Sequence, residues 1–193
     1  NAATLQASGG ASYLWSTGST DSVITVNPTT TTQYKVIVAS TGGCKDSAFA
    51  TAVINPLPTI TLSNDATICM GDSTTLTAGG GVQYLWSTNP PQTTPSITVN
   101  PTSFTTYTVA VTDANNCFDS KSVNVSVIPL PIPMITLAAD TICKGATTTL
   151  SASGGNQYLW NTGETSSTIS VLPLVTTTYT VTVSNTQNGV VCS

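Results

Sequence analysis

Apolar residues alternate with Thr, Ser or Asn in short runs along the whole chain, as in SITV at 96–99 and TYTVAV at 106–111. An alternation with a period of two predicts β-strands that bury one face. Turns containing Gly, Pro or Asn separate the runs, and almost nothing in the composition favours helix. The pattern therefore predicts an all-β protein made of antiparallel β-sandwiches.

The whole pattern returns three times along the chain. Trp15, Trp86 and Trp160 are 71 and 74 residues apart, so two further copies follow the first at nearly constant spacing. A fixed period of this kind indicates tandem modules. We expect three immunoglobulin-like sandwiches in a linear array. They are repeat 1 (residues 1–56, which lacks the first strand), repeat 2 (residues 57–130, complete) and repeat 3 (residues 131–193, which lacks the last strand).

Proline-rich segments lie between the predicted modules, at residues 55–62 and 128–137. Alternating prolines favour an extended, semi-rigid connection. We therefore expect neighbouring repeats of the same chain to be the nearest partners of each module.

Large aromatic side chains recur at fixed positions of each repeat. A Trp on the third strand that faces inward fits the gap of about 10 Å between two packed sheets. The Tyr that begins a later TYTV-type strand follows the same pattern. The predicted core residues are Trp15, Trp86, Trp160, Tyr34, Tyr107 and Tyr179.

The spacing of the five cysteines suggests one disulfide in each complete module. Cys69 and Cys117 are 48 residues apart, and Cys143 and Cys192 are 49 apart. The first cysteine precedes the second strand and the other follows the penultimate strand, so we expect both at one end of the sandwich, joined as a clasp. Repeat alignment places the partner of Cys44 upstream of the first residue. Such bonds need an oxidising compartment, which predicts an exported protein.

The charge inventory excludes several functions. Charged residues make up 6% of the chain, the net charge is −4, and there is no His. Nucleic-acid binding needs clustered Lys or Arg, and the apolar runs are too short to span a bilayer.

No carboxylate pair recurs in all modules, so we predict a protein that is not an enzyme and has no cofactor. Asp113 lies in a turn that could hold Ca²⁺, but its counterparts differ, which favours a plain solvated turn.

A string of motifs in repeat 2 carries a family resemblance. It reads C-x-G-x-x-x-x-L from Cys69, G-G-x-x-Y-x-W ending at Trp86, then SITV, TTYTV, a late Cys and P-x-P. The chain resembles the immunoglobulin-like and PKD-like tandem repeats of giant Bacteroidota cell-surface adhesins, including SprB-type gliding adhesins exported by the type IX secretion system. The resemblance implies a place on the bacterial outer cell surface and a role as an extended stalk in adhesion or gliding motility.

Asp followed by Ser or Thr and a small apolar residue or Thr is the O-glycosylation motif of the proteins that this chain resembles. The resemblance therefore implies covalent glycans on Ser22, Ser47, Ser73 and Thr141. Hydrogen-bonded Asp-Ser turns explain the same pairs equally well.

Two other functions stay open on the sequence. The first is a glycan-binding or spacer module of a secreted polysaccharide-degrading enzyme, which exposed aromatic residues on one face would favour. The second is a head-to-tail polymer in which the first strand of one copy completes the sandwich of another.

Overall fold

A computed structural model describes residues 2–193 and shows 18 β-strands and no helix within that range. The strands are β1 (Ala3–Gln6), β2 (Ser12–Trp15), β3 (Val23–Val26), β4 (Thr32–Ala39), β5 (Lys45–Ala52), β6 (Thr61–Leu62), β7 (Ala66–Cys69), β8 (Thr74–Gly79), β9 (Gln83–Trp86), β10 (Ser96–Val99), β11 (Thr105–Thr112), β12 (Phe118–Ile128), β13 (Met134–Leu137), β14 (Thr148–Ser153), β15 (Gln157–Trp160), β16 (Thr168–Val171), β17 (Val181–Gln187) and β18 (Val190–Cys192). The predicted all-β class is confirmed. Consistent with this, the described residues contain no helix that is long and apolar enough to cross a membrane.

The strands of each repeat form two sheets. Repeat 2 has one sheet in the order β10-β8-β6 and a second in the order β7-β12-β11-β9. Repeat 1 contains β1-β3 and β2-β4-β5, and repeat 3 contains β13-β14-β16 and β15-β17-β18. The pairing of β7 with β12 is parallel, whereas the other pairings within residues 2–193 are antiparallel.

The chain divides into two compact units. One ends at Leu57, and the other spans Pro58–Ser193 and so contains repeats 2 and 3. Within residues 2–193 there are three separate hydrophobic cores, centred on Trp15, Trp86 and Trp160. The division into three modules remains a prediction.

Each tryptophan is buried between its two sheets. Trp15, Trp86 and Trp160 are 4%, 1% and 1% exposed. Their indole N–H groups donate to backbone carbonyls of the following loop, at 2.8, 3.0 and 2.9 Å. A buried indole needs such a partner, because an unpaired polar group in a core costs about 1–3 kcal/mol. The predicted core tyrosines Tyr34, Tyr107 and Tyr179 lie half-buried at the edges of the same cores.

The G-G-x-x-Y motif forms a closed turn before each tryptophan strand. In repeat 2 the backbone of Gly80 has φ +101°, a left-handed conformation that glycine adopts without steric cost. A side chain on Gly81 would collide with Val111 on β11, so this position needs glycine for space. The Tyr84 hydroxyl then donates to the carbonyl of Gly81 at 3.0 Å. Repeats 1 and 3 keep the same hydroxyl-to-carbonyl bond, at 3.1 and 2.7 Å.

Replacing Trp86 tests the core of repeat 2. We expect Trp86→Ala to lower the free energy of unfolding of repeat 2 by about 3–5 kcal/mol, because it empties the space between the sheets and leaves a carbonyl unpaired. Leu85→Ala is the matched control: Leu85 is adjacent on β9 but 53% exposed, and the loss should stay within about 0.5 kcal/mol. Native-state hydrogen exchange of the β11 amides measures both. Equal losses in the two variants would contradict the account.

Candidate functional site: the junction of repeats 2 and 3

The parallel pairing of β7 with β12 decides where the cysteines of repeat 2 lie. Cys69, at the end of β7, pairs with Ile128, at the end of β12. Cys117 directly precedes Phe118, which begins β12. β12 is 11 residues long, and a strand rises about 3.3 Å per residue, so the two cysteines are separated by about 36 Å. They lie at opposite ends of the sandwich.

A disulfide joins Cys69 of repeat 2 to Cys192 of repeat 3, with their Cα atoms 5.6 Å apart. The predicted pairs Cys69–Cys117 and Cys143–Cys192 are therefore wrong. That prediction treated the strands next to the two cysteines as antiparallel neighbours that bring both to one end. Because β7 instead runs parallel to β12, it carries Cys69 away from Cys117 and towards the linker to repeat 3.

The bond is buried on one side and closes a long loop. Cys192 is 2% exposed, and the bond spans a sequence separation of 123 residues. Loop-closure entropy for a loop of that length corresponds to about 5 kcal/mol of stabilisation of the folded pair of repeats. The disulfide therefore contributes a large part of the free energy of unfolding of modules whose hydrophobic cores are small.

The β17–β18 hairpin of repeat 3 brings Cys192 to this junction. Its tip is Asn188-Gly189, both with positive φ, which is the preferred sequence for a two-residue hairpin turn. The Asn188 side-chain amide donates to the Thr67 hydroxyl on β7 at 3.1 Å. The Asn185 amide donates to the carbonyl of Pro129 at 2.8 Å. These two bonds fix the hairpin against repeat 2 and its linker.

The sequence contains a signal for this contact. Between the penultimate strand and the late cysteine, repeat 3 reads VSNTQNGVVC where repeat 2 reads VTDANNC. The three added residues and the Asn-Gly pair indicate a longer hairpin than in repeat 2. The parallel pairing that places Cys69 beside it had no such signal, because β7 is only four residues long.

The other three cysteines carry no disulfide in the part of the chain that the structure describes. Cys44 and Cys143 are exposed, and Cys117 is half-buried. Cys44 and Cys117 each close the turn between the last two strands of their repeat, where the cysteine carbonyl accepts from the backbone N–H at the start of the turn at 2.9 Å.

A carboxylate strengthens the parallel pairing. Oδ1 of Asp65, just before β7, accepts from the backbone N–H of Asn124 on β12 at 2.8 Å, and Oδ2 accepts from the Asn124 amide at 3.1 Å. These hydrogen bonds favour the ionised carboxylate and hold the pKa of Asp65 below its ordinary value of 3.8. Burial raises the pKa of Tyr107 on the neighbouring strand β11.

The Asp113 turn is organised by its own backbone. Oδ1 of Asp113 accepts from the N–H groups of Asn115 and Cys117 at 2.8 and 2.9 Å, which is a hydrogen-bonded Asx turn. Across the described residues, no group of three or more His, Cys, Asp or Glu side chains is arranged to hold a metal ion.

The four predicted glycosylation residues are all on the surface. Ser22, Ser47, Ser73 and Thr141 are exposed, so an attached sugar would meet no steric barrier from the core. The backbone N–H of Ser47 donates to Oδ1 of Asp46 at 2.7 Å, which is the local contact expected of a plain Asp-Ser pair.

A cavity of about 460 Å³ opens beside Cys143 in repeat 3. Leu150 and Tyr179 line it. Their counterparts in repeat 2, Leu76 and Tyr107, belong to the core that also contains Val125 of β12.

No protein-family model and no curated protein matches this chain. Among solved structures, a Ca²⁺-stabilised adhesin that helps an Antarctic bacterium bind ice is 14% identical, over 98% of this chain and 66% of that one, with a TM-score of 0.35. A 1.5-MDa bacterial ice-binding adhesin is 13% identical, over 88% and 76%, with a TM-score of 0.35. The Bacteroides ovatus mixed-linkage glucan utilisation protein SGBP-B is 15% identical, over 98% and 58%, with a TM-score of 0.22.

The chain spans less than two thirds of the length of two of these three proteins.

Asp65→Ala tests the contact that fixes β7 to β12. A carboxylate whose pKa is lowered by folding contributes stability above its ordinary pKa and loses it as the pH falls through the folded pKa. We therefore expect Asp65→Ala to have a lower free energy of unfolding than the unmodified chain at neutral pH, and this difference to become smaller below pH 3.8. Urea unfolding at a series of pH values measures the difference. Asp72→Ala, which removes the carboxylate that follows β7 in the sequence, serves as the control. A difference in the free energy of unfolding for Asp65→Ala that does not change with pH would contradict this role.

Proposed function

We propose that this chain is a non-catalytic stalk segment of a bacterial cell-surface adhesin, which carries tension between an adhesive tip and the cell. One observation carries the proposal: a covalent bond joins two consecutive repeats across their junction, from Cys69 to Cys192. A module that only bound a ligand would gain stability from a bond between neighbours, but its binding would not depend on that bond. A segment under tension gains a great deal, because the bond changes the path along which force travels.

The force path follows from the positions of the two cysteines. Tension applied at the chain ends reaches Cys69 at the end of β7, crosses the disulfide and leaves the second unit at Cys192. The cores around Trp86 and Trp160 lie inside the closed loop and outside this path. Because the loop cannot open while the bond is intact, pulling on the ends cannot lengthen the chain between the two cysteines.

The linker between the repeats supports the same role. Pro129, Pro131 and Pro133 restrict its backbone. The N–H of Ile132 donates to the carbonyl of Gly154 at 3.1 Å, and the side chain of Asn185 binds Pro129. The junction is thus held by proline stiffness, by hydrogen bonds and by one covalent bond, which suits a stalk that keeps a tip away from the cell.

The motif resemblance to Bacteroidota surface adhesins supports the setting of this stalk. On that basis we place the chain outside the cell, exported by a type IX pathway and used in surface adhesion or gliding. The scarcity of charge, 6% of residues, means that hydroxyl and amide groups, and any attached glycans, keep the surface hydrated.

Stretching single molecules tests the stalk. In the oxidised chain held at its two ends, we expect no release of length from the residues between Cys69 and Cys192. In the Cys192→Ser variant the same residues should unfold and add a total of about 400 Å of contour length, at roughly 3.3 Å per residue. Cys44→Ser is the control and should behave like the unmodified chain. Release of that length from the oxidised chain would refute the proposed role.

The mass of the exported protein tests the glycans. We expect chain isolated from the cell surface to be heavier than its sequence by whole sugar units, since all four candidate hydroxyls are exposed. Replacing Ser47 by Ala should remove one set of units, whereas Ser16→Ala, a serine outside the motif, should leave the mass shift unchanged. An exported chain with the bare sequence mass would show that the motif carries no sugar.

A further inference from the structure

In the repeat register each repeat has an early and a late cysteine position, and in repeat 2 the two lie at opposite ends of the sandwich. The early position, at Cys69 and Cys143, precedes strands β8 and β14. The late position, at Cys44, Cys117 and Cys192, follows strands β4, β11 and β17. In repeat 2 these positions are about 36 Å apart, with the early one at the end that faces repeat 3. In repeat 2 a bond between its own two cysteines is therefore out of reach, whereas Cys69 bonds to the late cysteine of the next repeat.

The one disulfide among the described residues follows a simple rule: the early cysteine of a repeat bonds to the late cysteine of the next repeat. The rule also accounts for every cysteine that carries no bond in the structure. Cys143 needs the late cysteine of a repeat that follows repeat 3. Cys117 needs the early cysteine of repeat 1, whose position lies three residues before Asn1 in the repeat register. Cys44 needs the early cysteine of a repeat before repeat 1.

We propose that Cys44, Cys117 and Cys143 are bonding sites for further copies of this repeat, so that disulfides between consecutive repeats form a continuous ladder. Each rung forms when two thiols, one from each repeat, lose two protons and two electrons to an oxidant of the export compartment, such as a thiol-disulfide oxidoreductase. This proposal holds whether or not the chain carries tension, because it concerns only which cysteines bond.

The ladder has a mechanical consequence. Between two rungs the covalent path runs from a late cysteine to the next early one, as from Cys117 to Cys143, which are 26 residues apart. Within the second unit most of that path is already extended, as β12, the proline-rich linker and β13. A laddered array would therefore be almost inextensible, since rungs and extended strands leave no slack.

Adding the missing early cysteine gives the sharpest test. Residues 58–71 of this chain end at the position that aligns just before Asn1, so fusing a copy of them to the N-terminus supplies an early cysteine for repeat 1. The ladder predicts that the added cysteine bonds to Cys117. Bonding within the repeat predicts that it bonds to Cys44. Peptide mapping without reductant, with free thiols alkylated first, identifies the partner.

Matched variants sharpen the result. In the extended chain, Cys117→Ser should leave the added cysteine alkylated as a free thiol, whereas Cys44→Ser should leave its bond unchanged. A bond between the added cysteine and Cys44, or a free added cysteine in a chain that keeps Cys69–Cys192, would overturn the ladder.

A C-terminal extension tests the other end independently. Ser193 aligns with Phe118, so a copy of residues 119–193 fused after Ser193 completes repeat 3 and adds one more repeat. The ladder predicts that Cys143 bonds to the added copy of Cys192, while the added copy of Cys143 stays a free thiol. A bond between the added copies of Cys143 and Cys192, or a free Cys143, would overturn the proposal even if the N-terminal fusion failed to fold.

Discussion

The parallel pairing of four residues of β7 with the end of β12 is the constraint on which the rest of the junction depends. It moves Cys69 to the end of repeat 2 that meets repeat 3, and Asp65 reinforces it through two hydrogen bonds to Asn124. With β7 in that place, the late cysteine of the same repeat is out of reach and that of the next repeat is adjacent. Because of the position of this short strand, the disulfide joins two modules and does not lie within one.

The same few residues stabilise each of the modules. A small two-sheet sandwich buries little apolar surface, so one tryptophan fills its centre and a glycine turn closed by a tyrosine hydroxyl shapes the strand that carries it. Few charges are present to add ion pairs. The disulfide supplies stability that the core of a small module cannot, and it does so for two repeats at once.

The strands and the all-β class could be predicted because an alternation with a period of two reflects local structure directly. The burial of the tryptophans could be predicted because the GGxxYxW motif recurs in every repeat. The sequence did not predict the disulfide. Spacings of 48 and 49 residues are the same whether β7 runs parallel or antiparallel to its neighbour, and four residues of strand leave no signal of direction. The longer Asn-Gly hairpin before Cys192 was visible, but only the fold shows that it reaches Thr67.

The most direct measurement is a tryptic digest of the oxidised 193-residue chain without reductant, since cleavage at Lys45, Lys121 and Lys144 places the relevant cysteines on three peptides. The account predicts that the peptide 46–121 is joined to the peptide 145–193, and that the peptide 122–144 carries a free Cys143. A peptide 122–144 joined to 145–193, with Cys69 and Cys117 bonded inside 46–121, would contradict it.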